Sequence, residues 1–349
     1  MKTRLTMKHL LGIIALIALA IWPLIAPHPY IVFILTLVFV YSVITKYYNL
    51  LMGYGGIFFL TPMIFMGISG YITAYLTVKS SVNPAIAIAA GVAGATIWSF
   101  TFSALSMRLR GLYMALYSMI FLLLLFNLFQ NDAPFIRAYT GGSIGIFGLP
   151  ELVLGGIEFH KFMAIPYYYL TFVIFVVAVL VFYRLVNSSF GLRLQSLRDG
   201  ETYASTLGVN AFRMKIYSFA ISASFMGLAG SVLSLYWFSI NPPIFSLDWV
   251  LLFFAMVVLG GLGTMWGPFV GTLILIPANN LLTIIGPYRL LFLGAIVLVT
   301  VLVMPNGIVG KIEEKLASRR ATPGTTGIFP RMVFRKALST ATADTAEQK

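Results

Sequence analysis

Tyr167-Tyr-Tyr-Leu-Thr-Phe-Val-Ile-Phe-Val-Val-Ala-Val-Leu-Val-Phe-Tyr183 carries no charge, glycine or proline, and it stops at Arg184. A helix rises 1.5 Å per residue, so a run of about 20 such residues crosses the ~30 Å of a bilayer's hydrocarbon. Working outward, comparable runs recur at roughly 10–26, 31–45, 50–78, 83–106, 112–129, 216–238, 249–262, 269–285 and 290–304. With 167–183 they make ten spans. The 31–45 run is short, and 50–78 is interrupted by Gly53, Gly55, Gly56, Pro62, Gly67 and Gly70, which predicts a broken or re-entrant helix. The 249–285 stretch is split by Gly260, Gly261, Gly263, Gly267 and Pro268.

Composition agrees. Of 349 residues 60% are apolar and 9% charged, against about 25% charged in a soluble domain. So few charges cannot cover a soluble globule of this size. A cytosolic enzyme, a disordered chain and a nucleic-acid binder are excluded, and an all-α polytopic membrane protein remains. The absence of cysteine removes disulfides, Cys-ligated metals and thiol catalysis.

The net charge of +13 reads as topology. With the N-terminus inside and sides alternating, the inside segments hold Lys2, Arg4, Lys8, Lys46, Arg108, Arg110, Arg184, Arg193, Arg198, Arg213, Lys215 and eight basic residues from Lys311 onward. The outside segments hold Lys79, Arg137, Lys161 and Arg289. This asymmetry obeys the positive-inside rule and puts both termini in the cytoplasm of a plasma-membrane protein. The first run has a second reading, a signal peptide cut near Ala18-Leu19-Ala20, although the apolar stretch continues to Ala26. Residues 130–166 form the long outside loop and 184–215 the long inside loop. Residues 1–310 read as the membrane domain. The tail 311–349 has no periodic apolar face and reads as disordered, resting near anionic lipid headgroups.

All ten acidic residues fall in loops, tails or span ends, and no Lys or Arg is placed mid-span. Proton-coupled carriers usually need an intramembrane carboxylate, so a proton-driven carrier is disfavoured and the cargo is neutral, zwitterionic or handled by dipoles. No Gly-x-x-x-x-Gly-Lys-Ser/Thr occurs, so ATP is not bound here in the P-loop manner. Gly141-Gly142-Ser143-Ile144-Gly145 matches a nucleophile elbow but lacks the strand-to-helix setting. Gly67-Ile68-Ser69-Gly70 resembles an intramembrane serine-protease motif, yet His9, His28 and His160 all lie at or beyond membrane edges. No catalytic site and no metal site is assigned. Ala87, Gly91, Ala95 and Ser99, and again Gly263, Gly267 and Gly271, repeat every four residues. Such faces let helices approach closely, within one subunit or between two.

Within the inside loop, Leu194, Leu197, Thr202 or Tyr203, and Leu207 make one apolar stripe of a short helix over 195–208, stopped by Gly208. Such a helix is either a membrane-surface turn or a docking surface. The segment resembles the cytoplasmic loop of ABC importer permeases, with Glu201, Ala204 and Gly208 matching a Glu-Ala-Ala…Gly motif. Tyr203 or Ser205 replaces the second Ala. The wider pattern is similar to LivM-type permeases of branched-chain amino-acid importers. It rests on Arg108-Leu-Arg110-Gly111-Leu-Tyr113, Thr140-Gly141-Gly142-Ser-Ile-Gly145-Ile-Phe-Gly148-Leu-Pro150, Val257-Val258-Leu-Gly260-Gly261-Leu-Gly263-Thr-Met-Trp-Gly267-Pro268 and Pro305-Asn306-Gly307-Ile308. Where that family has a Ser-Leu-Gly-His-type stretch, this chain has Phe58-Phe59-Leu60-Thr61-Pro62.

The resemblance implies a pathway shared with a second permease, identical or related, two cytosolic ATPases gripping the 195–208 helix through Glu201, Ala204 and Gly208, and an external solute-binding protein. It implies ATP on the partner subunits and no cofactor on this chain. Asn49, Thr61, Ser69 and Thr73, near the broken helix, are pathway candidates, as are Asn127, Asn279 and Asn280. The expected function is import of branched-chain or related amino acids. Urea or a short amide as cargo, and a stand-alone channel or secondary carrier, are the alternatives.

Overall fold

A computed structural model of the chain describes residues 22–23, 28–106, 109, 111–154, 157–159, 164–206, 208–282, 286, 288–304 and 306–318. The expected first span apart from residues 22–23, Arg108 and Arg110 lie outside these, as do His9, His160 and the tail from 319.

The chain divides into two units, Met1–Gly310 and Lys311–Lys349. The first is helical throughout its membrane part: α1 (Pro29–Asn49), α2 (Met63–Val78), α3 (Pro84–Ser106), α4 (Leu112–Gln130), α5 (Pro134–Thr140), α6 (Ala164–Val186), α7 (Ser189–Asp199), α8 (Glu201–Thr206), α9 (Ala211–Trp237), α10 (Leu247–Gly260), α11 (Gly267–Leu282) and α12 (Arg289–Val303). A further helix, α13, runs Gly307–Ser318. It corrects the expectation of disorder for 311–318, where alternating Ile, Glu and Lys residues sustain a helix.

Helix α1 is the hub. It is apolar on every side, and from Thr36 onward each residue is buried, as a helix enclosed by other helices must be. Helices α6, α9, α10 and α11 pack around it, and α2, α3 and α9 form a second tight group. The aromatic ring of Phe39 meets Tyr168, Phe172 and Phe175 of α6, while Tyr47 stacks on Phe225 of α9 at 4.1 Å. By contrast α3, α4 and α6 each leave one side uncovered, for example Ile97, Leu116, Ile120 and Val173, which suits contact with lipid or another apolar surface.

The break in 50–78 is present, at a place shifted from the sequence reading. Helix α1 does not end at residue 45. It continues through a π-helical turn, Leu50–Tyr54, so that Pro29–Tyr54 is one apolar segment of 26 residues, about 39 Å long. Residues 56–61 then carry neither helix nor strand, and α2 has 16 residues, about 24 Å. This corrects Lys46 as well. It is not a loop residue but is 1% exposed inside α1, so the statement that no cation lies within a span fails at this position. Among the described residues five helices are long and apolar enough to cross a membrane, and α2, α10 and α11 are shorter apolar helices.

The connections sort to two ends. At one, residues 53–58, Ser106, Leu109, Gly111, α7–α8, the 261–267 turn and residues 306–310 lie together. At the other, β1 (Ile146–Phe147) pairs antiparallel with β4 (Ser239–Ile240), Phe129 meets Phe245, Tyr75 meets Tyr139, and Asp248 faces Arg289 at 4.0 Å. The 130–166 loop, read as irregular, also holds α5 and a hairpin of β2 (Leu152–Leu154) with β3 (Ile157–Phe159). This sorting is the alternation of sides deduced from charge. The small-residue stripe on α3 is buried at Ala87, Gly91, Ala95 and Ser99. A side chain at Gly91 would meet Thr73 and Ser69 of α2 and Ser231 of α9, so the stripe serves packing within this chain.

Candidate functional site

The sequence between α6 and α9 folds as two short helices rather than the single 195–208 helix expected. Ser188 caps α7, its hydroxyl accepting from the Phe190 N–H at 3.2 Å. Gly200, at φ 164 and ψ 118, ends it. Helix α8 follows at once, and Asn210 caps α9 by accepting from the Arg213 N–H at 3.1 Å. Of the expected apolar stripe Leu194 and Leu197 are buried, Thr202 is exposed and Leu207 lies outside the described residues, while Ala204 takes the inward position on α8. Ala204 is buried against its own chain. Gly208 is exposed with φ +77 and open space around it, the left-handed conformation expected of a helix-stopping glycine. Glu201 pairs with Lys215 of α9 at 3.2 Å. The exposed face is instead built by Leu192, Arg193, Thr202, Ser205 and Phe212.

These helices are fastened to the hub. Arg198 donates from Nη1 to the Gly53 carbonyl at 3.3 Å and from Nε to Asp199 at 3.3 Å. Gly56 has φ +64, and a Cβ there would sit 2.9 Å from the Arg198 Cα. Only glycine permits both that backbone conformation and that approach. Leu194 packs over Gly55 in the same way. One layer deeper, Asn49 is fully buried and clamps the turn between α10 and α11. Its Nδ2 donates to the Thr264 carbonyl at 2.9 Å, and its Oδ1 accepts from the Gly263 N–H at 2.8 Å. Lys46 donates to the Met265 carbonyl at 2.8 Å, with its ammonium 4.9 Å from the centre of the Phe182 ring and 5.2 Å from that of Trp266. Aromatic faces attract a desolvated cation. Thus α7, the end of α1 and the 261–265 turn form one bonded block. Sequence reasoning missed Lys46 and Arg198 as structural members because each was read only as a topology charge.

Of the other pathway candidates Thr61, Ser69 and Thr73 are equally enclosed, Asn279 and Asn280 are half-buried, and Asn127 is exposed. Thr61 donates to the Ser118 carbonyl at 3.3 Å. Ser69 bonds Ser231, and Thr73 donates to Ser231 at 2.9 Å, joining α2 to α9. Asn127 and Asn280 donate to carbonyls of their own helices, at Leu123 and Ile276, and Asn279 lies beside Asn280 on α11. At the opposite end Ser143 donates its N–H and hydroxyl to Asp132 at 3.0 and 2.9 Å. Those bonds, the backbone one foremost, hold the Asp132 carboxyl below the usual carboxylate range. Ser143 follows a helix and a glycine turn, not a strand, so the elbow geometry is absent. No cluster of three metal-ligating side chains occurs among the described residues.

An apolar hub helix, a broken second crossing and a short helical pair bonded to the hub at one end define a multi-span transport permease. The family model described as "Branched-chain amino acid transport system / permease component" matches residues 30–301, and the chain belongs to that family. It is 27% identical to the high-affinity branched-chain amino acid transport system permease protein LivM of Escherichia coli K12, over 89% of this chain and 77% of that protein. The Salmonella typhimurium LivM is 26% identical with the same coverage. The LivH permease of Salmonella typhimurium is 33% identical over a shorter part, 36% of this chain and 41% of its own. No solved structure matches.

Proposed function

We propose that this chain is one permease subunit of an ATP-driven importer for branched-chain or related amino acids, a multi-pass plasma-membrane protein with both termini cytoplasmic. It shares the pathway with a second permease, identical or related. Two cytosolic ATPases seat against α7–α8, and an external solute-binding protein delivers cargo to the end carrying Ser143 and the β-pairs. ATP is held by the ATPases, and this chain needs no cofactor.

The observation that carries the coupling half of the reading is the fastening of α7 to the hub through Arg198, Gly53 and Gly56. A push on α7–α8 is then delivered to the end of α1, and through Asn49 and Lys46 to the 261–265 turn. Because α1 packs on α6, α9, α10 and α11, one displaced element reaches four others without any flexible link. Glu201, Ala204 and Gly208 shape this handle from within: an ion pair to α9, a buried methyl, and a left-handed stop. Asn49, Thr61, Ser69 and Thr73 belong to the wall behind the pathway, where cargo reaches them only when helices part.

The cargo half is supported by charge. Among the described residues Lys46 is the one buried ionisable Lys, Arg, Asp or Glu, so no buried carboxylate is available to shuttle protons, and a zwitterion handled by dipoles fits. The test is uptake by vesicles containing this chain, its partner permease and the ATPases, with the binding protein outside. ATP-dependent entry of leucine, isoleucine or valine is expected. Urea entering in their place, or amino acids crossing with this chain alone, contradicts the reading.

A further inference from the structure

Helix α4 has two unlike sides. Ala115, Ser118, Leu122 and Leu125 are buried against the subunit, while Leu116, Ile120, Leu124 and Asn127 are exposed along the opposite side. Its 19 residues reach about 28 Å, no more than the ~30 Å of hydrocarbon. The whole helix is therefore needed to cross, and Asn127, about 22 Å along it, lies inside the apolar depth. Its Nδ2 donates to the Leu123 carbonyl at 2.8 Å, the only bond its carboxamide makes among the described residues. A carboxamide has two N–H groups and an acceptor oxygen, so one N–H and the oxygen stay open. Lipid tails satisfy neither, and polar groups at that depth belong to protein contacts or water-lined cavities. The outward sides of other helices differ. On α6 they are Val173, Val177 and Leu180, and on α12 Leu291, Leu298 and Val299, apolar as lipid requires. On α3 the exposed polar residue is Thr101, whose hydroxyl is of a kind that helix carbonyls can satisfy. Helix α4 is also bonded to the break before α2. The Leu60 N–H donates to the Ser118 hydroxyl, and the Thr61 hydroxyl to the Ser118 carbonyl, each at 3.3 Å. The same segment begins at Gly56, against Arg198. It thus joins the handle's block to α4.

We infer that the exposed side of α4 lines the transport pathway, facing the second permease across it, and that Asn127 is a cargo-bonding residue near the outer mouth. The inference deepens the import reading above and rests on it. The open carboxamide oxygen accepts from an amino acid's ammonium, and the open N–H donates to its carboxylate. Ile120 and Leu124 offer an apolar wall to an aliphatic side chain. Such a site handles a zwitterion by dipoles alone. Because α4 is bonded to the segment that the handle's block holds, this wall moves with the block and requires no shift within it.

The experiment uses vesicles of the complete complex with ATP inside and leucine-loaded binding protein outside. Ile120→Cys and Leu124→Cys on α4, and Val177→Cys on α6, are treated during turnover with a small, charged, membrane-impermeant methanethiosulfonate. The added mass is read on this chain, which has no cysteine of its own. Both α4 thiols are expected to react at least about tenfold faster than the α6 thiol, because the thiolate that reacts forms in water and not in lipid. Asn127→Leu is expected to lower maximal leucine uptake at saturating binding protein by at least about tenfold, the size of one hydrogen bond to a charged group. ATP hydrolysis stimulated by the loaded binding protein is expected to persist in that variant, and Asn127→Gln to restore part of the uptake. A lipid-facing position predicts the reverse, since leucine suits lipid better than asparagine does. If Asn127→Leu does not assemble, the thiol rates decide alone. Reaction of the α4 thiols no faster than that of Val177→Cys, or full uptake by Asn127→Leu, overturns the inference. Absence of ATP-dependent uptake by the unaltered complex overturns instead the import reading on which it rests.

Discussion

Replacing Asn49 by Ala removes two hydrogen bonds at once, those of 2.9 and 2.8 Å to the Thr264 carbonyl and the Gly263 N–H. The side chain is fully buried, so water does not readily take its place. A buried backbone group deprived of its partner costs about 1–3 kcal/mol. Hydrogen bonds between helices within a membrane average nearer ~0.6 kcal/mol, because the unfolded reference also finds partners. The turn lies at one end of the bundle and is made of backbone with few alternatives, so the two bonds together are worth about 2–3 kcal/mol. Asn49→Asp should cost more than Asn49→Ala. It keeps the acceptor for Gly263 but sets a buried carboxylate oxygen against the Thr264 carbonyl. Thermal unfolding of the purified complex in lipid nanodiscs, followed by tryptophan fluorescence, gives the order wild type, Ala, Asp. Leucine uptake per ATP hydrolysed should fall alongside, because the turn no longer follows α1. Stability of Asn49→Ala within about 0.5 kcal/mol of the unaltered chain, with coupling unchanged, would refute the clamp.

Lys46→Met should be tolerated, since loss of one bond to Met265 is offset by removing a desolvated charge; Lys46→Glu should not accumulate in membranes, with immunoblotting of membrane fractions as the check. At Gly230 a side chain would meet the Met66 carbonyl of α2, so Gly230→Leu should separate α2 from α9 and lower the melting temperature sharply, whereas Gly294→Ala, with nothing near it, should not. The Asp132 carboxyl is held below its usual range by Ser143, so its folded value lies beneath its unfolded one. Its contribution to loop order is then present above the unfolded value near pH 4 and is lost as pH falls through the lowered folded one. The protection of the Ser143 amide against hydrogen exchange, taken relative to its intrinsic rate at each pH, should fall on going from pH 5 to pH 2.5, and Asp132→Asn should remove that pH dependence.

Most of the architecture was legible because a bilayer imposes length and apolarity on every crossing. Connections that the alternation of basic residues assigns to one side also meet in the fold, as the pairing of residues 146–147 with 239–240 and the approach of 198 to 53–56 show. The errors share one cause. Lys46 was read as a loop marker because a cation signals an interface, but a buried carbonyl and two aromatic faces hold it inside α1. Periodicity runs one helix across Gly200 through Thr202, but the break at Gly200 turns Thr202 outward and Ala204 inward. The candidate site was visible only in part. Glu201, Ala204 and Gly208 stand out as a motif, but their orientation depends on Lys215, Arg198 and Gly56, partners brought together by tertiary contact and not by spacing. The polar residues Asn49, Thr61, Ser69 and Thr73 have the composition expected of a pathway, yet the same groups cement helices, and only the packing tells which of these they do at rest.

The chain has no cysteine, so a single one placed by design reports without interference. Ser205 is exposed on α8 and Ser143 is exposed at the opposite end. In the assembled complex, Ser205→Cys treated with a short thiol-to-amine linker should join an ATPase subunit and should resist a membrane-impermeant thiol reagent on whole cells, while Ser143→Cys does neither. Labelling of Ser205→Cys from outside the cell, or an ATPase joined through Ser143→Cys, would place the handle on the wrong side of the membrane and contradict the account.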